Sequence, residues 1–445
     1  VNGSVAPATV ASATDTVAHV PAPPGPVARS PLGRLVLGLL VSKTGMVVAL
    51  VVPLQLLLTL RLTTLLDGVG AAAAFGLVTG VGALVALVLN PITGRISDAT
   101  TARFGKRRTW LLFGALTGGA ALAGLGLATE VWQVVLAWSV VQALFNFQAV
   151  ATDALFADQV DPARRGRVAG VAGLPSLIGP VIGLTIVGTA PAGSAAQWYL
   201  LAGVATFAGV VSVLLVRDTP AARTGTPRLD ARTVARSFWV NTRRHPAFGW
   251  AWLVRFLCNC SIATVTFTAV YITQRFELSP EEVSSTLLRV ILLSVSVSAV
   301  VGLISGFLSD RLGRQKPFIA VASVITAAGT LGVAFAPTLG TVVVAIAVQA
   351  VGFGTFVAVN FALCVRVLPN PADAGRDLAV VDLANTLPQS FVPLVATVLI
   401  SLGGFPLFFG VLTVVGLLGP IALVRVPEVG DEEHGGRWSV PVTRG

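Results

Sequence analysis

The chain has 445 residues, 54% of them hydrophobic and 11% charged, and a formal charge of +10. A soluble domain carries about 25% charged residues, so a water-soluble globule of this size is excluded and much of the surface must face lipid. The basic excess follows loop topology, as shown below, rather than one soluble face, which removes nucleic-acid binding as its explanation.

In chain order, residues 1–33 are rich in Ala, Pro and Val and lack a basic start followed directly by an apolar run. They read as a disordered cytoplasmic tail and not as a secretory signal. Twelve stretches then meet the requirement of about 20 mostly apolar residues for a membrane helix. They lie near 35–60, 69–92, 109–129, 131–157, 167–189, 198–216, 248–273, 284–308, 317–336, 340–366, 379–401 and 405–425. The longest connection, 217–247, is Arg-rich and central, so it divides a first six-span half, 34–216, from a second, 248–427, with a cytoplasmic tail at 428–445. Within it, 229–241 reads equally as an amphipathic surface helix, with Val234, Phe238 and Trp239 on lipid, or as a solvated linker.

Nearly all of the 30 basic residues fall in the termini and in one alternate set of loops. The opposite loops hold only Arg61 and Arg275, and Lys43, Arg255 and Arg289 lie within spans. Positively charged loops stay in the cytoplasm, so both termini are expected there, in a cell (inner or plasma) membrane. Trp132, Trp198, Tyr199 and Tyr271 are expected at the outer interface. The three cysteines, Cys258, Cys260 and Cys364, have no metal-ligand spacing with His19, His245 or His434 and read as small buried hydrophobes.

The two halves repeat. Gly94-Arg95-Ile96-Ser97-Asp98 follows the second span and Gly306-Phe307-Leu308-Ser309-Asp310 follows the eighth, 212 positions on. Each is followed by Gly and a basic cluster, Gly105-Lys106-Arg107-Arg108 and Gly313-Arg314-Gln315-Lys316. At an offset of 207, Gln142-Ala143 meets Gln349-Ala350, Asp153 meets Asn360 and Pro162 meets Pro369. Internal repeats of this kind point to a transporter architecture.

The two connections resemble the signature between helices two and three, and eight and nine, of the major facilitator superfamily. The second copy, Gly306 to Lys316, is similar throughout. The first, Pro91 to Trp110, has a longer gap that resembles the sugar–cation symporter branches (glycoside–pentoside–hexuronide and sucrose-type carriers). Leu368-Pro369, Asp377, Asn385 and Leu387-Pro388-Gln389 also look like a block of those branches. The chain departs from them in carrying Asn at 360 and Asp at 382, where such relatives often have the reverse. The resemblance implies an all-α membrane protein of twelve transmembrane helices in two pseudo-symmetric six-helix bundles. It further implies that Gly94, Asp98, Gly105 and Arg107, with Gly306, Asp310, Arg311, Gly313 and Arg314, form cytoplasmic latches. Asp98 would meet the start of helix eleven near Arg376, and Asp310 the start of helix five near Arg164. A third pattern, Gly166, Gly170, Gly173, Gly179-Pro180 and Gly183 on the fifth helix, partly resembles drug/proton antiporters; Pro175 stands where a Gly is expected, and close helix packing through small residues is the preferred reading.

An ionisable group inside a span is costly unless paired or hydrated. Besides Arg289, near an outer end, these are Lys43, Asp153, Arg255 and Asp382. Counting depth at 1.5 Å per residue suggests one cation–carboxylate pair per half, Lys43 with Asp153 and Arg255 with Asp382, and Asp382 is the carboxylate chosen for proton coupling. Polar residues at similar depth, Gln142, Asn146, Asn259, Asn360, Asn385 and Gln389, are candidates for a hydroxylated substrate or for interhelical hydrogen bonds. No catalytic constellation, metal cluster or nucleotide-binding loop is legible, so no enzyme and no cofactor is expected. The expected function is secondary active transport of a small organic solute, sugar-like and coupled to a proton or sodium ion. Export of a drug or natural product and a non-transporting receptor are the alternatives. The expected partners are substrate, coupling ion and lipid bilayer; a monomer is expected.

Overall fold

The computed structural model describes residues 30–66, 68–161, 164, 168, 171–218, 245–366 and 374–426, with the side chains at 361, 362, 365, 366, 374–379 and 382 outside that description. The first predicted tail up to residue 29, the whole second tail, nearly all of the linker including 229–241, and the latch residue Arg376 as a side chain therefore lie outside the described residues, whereas the helix already starts at Leu32, inside the expected tail. Every described element is helical.

The first half comprises α1 (Leu32–Leu65), α2 (Gly68–Ala99), α3 (Lys106–Leu125), α4 (Val131–Gln159), α5 (Leu174–Val187) and α6 (Ala195–Leu215). The second comprises α7 (Pro246–Phe276), α8 (Pro280–Leu312), α9 (Lys316–Ala334), α10 (Leu339–Arg366), α11 (374–402) and α12 (405–423). Nine segments among the described residues are long and apolar enough to cross a membrane, the last of them holding both α11 and α12. Those two separate at Gly403 and Gly404, whose φ of +68° and ψ of −169° belong to a region open to glycine alone. The break falls between the predicted spans. The remaining two are α3, which opens on three basic residues and is rich in Gly and Thr, and α5, of which 14 residues are described as helix.

Two helices run past the lipid. The helix α2 continues to Ala99 and α8 to Leu312, so both Gly-x-x-Ser-Asp copies sit on helical turns and not in loops. Hydropathy reports where hydrocarbon ends, whereas backbone hydrogen bonding carries the helix into the polar layer. The start of α8 is a capping box: Ser279 Oγ accepts from the Glu282 N–H at 3.3 Å and Glu282 accepts from the Ser279 N–H at 2.9 Å. Within α1, Pro53 has no N–H to donate, and Pro53–Leu57 widens into a π turn in which the Leu58 N–H bonds the Pro53 carbonyl. The equivalent stretch of α7, Ala263–Phe267, tightens into a 3₁₀ turn.

The halves are sealed at the end away from the basic loops. There one apolar cluster runs through both, joining Phe75, Val78 and Trp138 of the first half to Phe267, Phe408 and Ala396 of the second. The rings of Phe75 and Phe267 meet edge-on at 5.2 Å. Helices α2 and α11 cross with Gly76 against Pro393 and Thr397, and Thr397 Oγ1 donates to the Ala73 carbonyl at 3.1 Å. Gln274 Nε2 donates to the Gly68 carbonyl at 2.7 Å, again between halves. Toward the basic end the apolar core divides into separate clusters, one on α1, α3, α4 and α6 around Leu39 and Leu155, the others within the second half. Among the described residues, the apolar seal between the halves therefore lies at the end away from the basic loops. Two residues expected at the interface, Trp198 and Tyr271, are instead core: both are 2% exposed, and the Tyr271 hydroxyl donates to the Val333 carbonyl at 2.8 Å. The Tyr271 hydroxyl finds its partner on a neighbouring helix, which an interfacial rule cannot foresee.

Candidate functional site

In the first half, α1 is keyed to α4 by a buried hydrogen-bonded patch. Ser42 Oγ and Thr152 Oγ1 are 2.9 Å apart, Gln148 Nε2 donates to Ser42 Oγ at 3.1 Å, and none of the three is exposed. Neighbouring residues turn by 100° around a helix, so fixing Ser42 on Thr152 sets the next pair as well. Lys43 Nζ meets Asp153 Oδ1 at 2.8 Å. This pair lies on the wet side of the contact, with side chains 29% and 65% exposed. Asn146 turns away to α2, where its Oδ1 accepts from Thr93 Oγ1 at 2.8 Å and its Nδ2 donates to the Ala86 carbonyl at 3.2 Å. Gln142, half-buried, has no hydrogen bond among the described residues.

In the second half, Arg255 Nη1 donates to Asn360 Oδ1 at 2.8 Å, joining α7 to α10. Asn360 is fully buried, and its Nδ2, like Arg255 Nε, has no partner among the described residues. The same face of α7 is tied to α11 one turn either side of Arg255: Trp252 Nε1 donates to the Val380 carbonyl at 2.8 Å, and Asn259 Nδ2 to the Ala384 carbonyl at 3.2 Å. These two bonds bracket residue 382 of α11 at the level of Arg255. The Asp382 side chain itself is outside the described residues. Asn385 is half-buried and Gln389 exposed, one turn apart on α11. Arg289 bonds back to its own helix at the Ser285 carbonyl and hydroxyl.

The two repeated connections differ in their pairing. In the first, Arg107 is buried and gathers four partners. Its guanidinium pairs with Asp98, with Asp158 Oδ2 at 3.2 Å and with Ser97 Oγ at 2.9 Å, while its backbone N–H reaches Asp218 Oδ2 at 2.6 Å. Lys106 adds a contact to Asp158 at 3.4 Å. Asp218 also accepts from the Arg108 N–H at 3.2 Å, so a carboxylate from the end of α6 caps the free amides that open α3. Gly105, at φ +114°, has no room for a Cβ beside Asp218. Gly94 rests near Val150 of α4. In the second connection Gly313, at φ +64°, ends α8, and Gly306 lies near Ala358. Asp310, Arg311 and Arg314 are exposed, with no ion pair among the described residues. Among the described residues, Asp98 therefore pairs within its own half.

Sequence reasoning missed Asp158 and Asp218, because an acid at a helix end reads as ordinary surface. The only available signal was their count beside a basic cluster. Replacing Arg107 with Met is expected to cost about 1–3 kcal/mol, since charged hydrogen bonds are lost but the freed carboxylates are partly hydrated. Asp218→Asn, which keeps a capping oxygen, is expected to cost under about 1 kcal/mol. Thermal unfolding of the detergent-solubilised protein reads both. An unshifted midpoint for Arg107→Met would show that the cluster does not hold this end of the bundle.

The model of the Major Facilitator Superfamily matches residues 35–305 and 261–443, two overlapping stretches that cover most of the chain. No curated protein sequence matches significantly. Among solved structures, a variant of the nucleoside transporter NupG aligns with a TM-score of 0.68 at 14% identity, over 88% of this chain and 99% of that one. The D-xylose–proton symporter aligns at 0.64 and 16% identity, over 89% and 97%. A bacterial homologue of the human lysosomal transporter Spinster, in an inward-facing and unoccupied conformation, aligns at 0.63 and 15% identity, over 88% and 95%. At such identities the likeness speaks for the fold.

Proposed function

The chain belongs to the Major Facilitator Superfamily, and from this premise we propose that it moves a small hydroxylated solute, a sugar or glycoside, by alternating access coupled to a proton or another cation. The coarser part needs no proposal: a member of this family is a multi-pass membrane transporter and not an enzyme. The observation that carries the finer reading is the division of the molecule. Its halves are sealed through Phe75, Phe267 and the α2–α11 crossing, while Lys43–Asp153 and Arg255–Asn360 lie toward the other end, one pair in each half. A solute entering from that end meets a cation on each half, one of them beside an exposed carboxylate.

The basic loops place that end in the cytoplasm under the charge rule. Gln142, Asn385 and Gln389, without protein partners among the described residues, are assigned to the solute, whereas Asn146 and Asn259 serve helix contacts. We assign Asp382 to coupling, because the register of α7 and α11 sets it level with Arg255. When the basic end closes, Asp98 and Asp310 exchange their present surroundings for the starts of α11 and α5, as a latch. The similarity to a D-xylose–proton symporter and a nucleoside transporter supports a hydroxylated solute. Export of a lipophilic product rests on Gly179 and Gly183, but these glycines are taken up by packing on Val47, Val48 and Val52 of α1. The functional unit is a monomer in the plasma or inner membrane.

Uptake and efflux by proteoliposomes with an imposed pH gradient, run against pentoses, glycosides, nucleosides and lipophilic cations, test this reading. Gradient-driven accumulation of one hydroxylated class is the expected result. Movement of lipophilic cations alone overturns it.

A further inference from the structure

We propose that the second half binds one anionic phospholipid, with an acyl chain in a groove between α8, α9 and α10 and its phosphate on the basic connection from α8 to α9. The groove has a volume of about 340 Å³ and is lined by Val301, Ile304 and Leu308 of α8, Phe318 and Val321 of α9, and Thr355 of α10. Its two hydroxyls are turned onto their own helices: Ser305 Oγ donates to the Val301 carbonyl at 2.6 Å and Thr355 Oγ1 to the Val351 carbonyl at 3.1 Å. The walls left to an occupant are hydrocarbon.

The internal repeat explains why the groove exists. In the first half the corresponding space holds three aromatic rings. Trp110 of α3 stacks on Phe147 of α4 at 4.8 Å, and Phe113 stands edge-on to each at 5.5 Å. Aligning Gly105 with Gly313 sets Trp110 on Phe318 and Phe113 on Val321, and aligning Gln142 with Gln349 sets Phe147 on Gly354. Two of the three rings are thus replaced by smaller residues. The loss at 354 cannot be made up in place, since a Cβ there would strike the Ser298 carbonyl of α8. Only Val321, where the first half has Phe113, turns the lost side-chain volume into groove.

The mouth of the groove is charged. Leu308 and Pro317 of its lining flank the turn made at Gly313, and this turn carries Arg311, Arg314 and Lys316. None of the three has an ion pair among the described residues, and the one acid beside them is Asp310. In the first half the same cluster is spent on protein carboxylates: Lys106 on Asp158, and Arg107 on Asp98 and Asp158. An apolar slot opening under three cations that have no ion pair among the described residues matches a chain joined to a phosphate and not a neutral headgroup. Basic pockets between transmembrane helices on the cytoplasmic side recognise anionic headgroups in this way.

The test uses the full-length protein in nanodiscs of phosphatidylcholine and phosphatidylglycerol, released into mild detergent and weighed by native mass spectrometry. One retained phosphatidylglycerol is expected, favoured over phosphatidylcholine by at least about tenfold. Val321→Trp, which restores bulk where the first half has Phe113, should abolish retention of both lipids. Arg311→Gln with Arg314→Gln and Lys316→Gln should erase the preference while a chain still enters. Each variant is first checked for a monodisperse, helical protein, and Ile304→Phe replaces Val321→Trp if that variant does not fold. Equal retention of the two lipids by the unaltered protein, wild-type retention in the filled-groove variant, or a dimer that the filled-groove variant dissolves would each overturn the assignment.

Discussion

A protein carrying Arg255→Gln together with Asp382→Asn is expected to fold, to exchange labelled substrate across a membrane, and to lose the ability to concentrate it. With a one-unit pH gradient, a one-proton symporter sustains about a tenfold accumulation, since about 1.4 kcal/mol is a factor of ten. The double variant should fall to a ratio of about one. Lys43→Gln with Asp153→Asn should keep most of the accumulation. The contrast follows from surroundings. Asp153 is 65% exposed beside a 29% exposed Lys43, and a pair so hydrated contributes only about 0–1 kcal/mol. The α1–α4 register survives its loss because Ser42, Thr152 and Gln148 hold it from the buried side. Arg255 is fixed to the buried Asn360, with its Nε unpartnered among the described residues, so a proton that changes the charge of a group level with it also changes what holds α7 to α10 and α11. If the Arg255/Asp382 variant still accumulates substrate in response to pH and the Lys43/Asp153 variant does not, coupling belongs to Asp153.

Gly76→Ala is expected to open the sealed end. A Cβ at 76 would overlap the Pro393 carbonyl and Thr397 Oγ1 of α11, and neither is the loose end of a flexible side chain. Overpacking of this kind costs about 1–3 kcal/mol. The cost falls only on the state in which α2 and α11 touch, so the closed-to-open ratio at that end should drop by about 5- to 150-fold. Maleimide labelling of Ala396→Cys, at a position fully buried in the seal, reads the change from the far side. Gly124→Ala is the control, because nothing lies within 4 Å of its Cβ. Unchanged labelling in Gly76→Ala would mean that this crossing does not set the equilibrium.

The sequence by itself determined the membrane helices, their pairing into two repeated halves and the family. These follow from hydropathy, from turn chemistry such as Gly403-Gly404, and from spacing, all of which are local. It also placed Lys43 and Asp153 at one depth, because a helix converts residue count directly into height. What it could not supply was azimuth. Whether Asn146 faces a solute or Thr93, whether Trp198 meets lipid or core, and whether Asp98 pairs with Arg107 depend on rotation of each helix about its axis. That rotation is set by packing against several others at once. The acids Asp158 and Asp218 became visible only when three helix ends converged on Arg107. The α8–α10 groove, likewise, is a volume left between helices: no residue in its lining is unusual, and only the tertiary arrangement decides that Val321 borders a space where Phe113 stands in the other half.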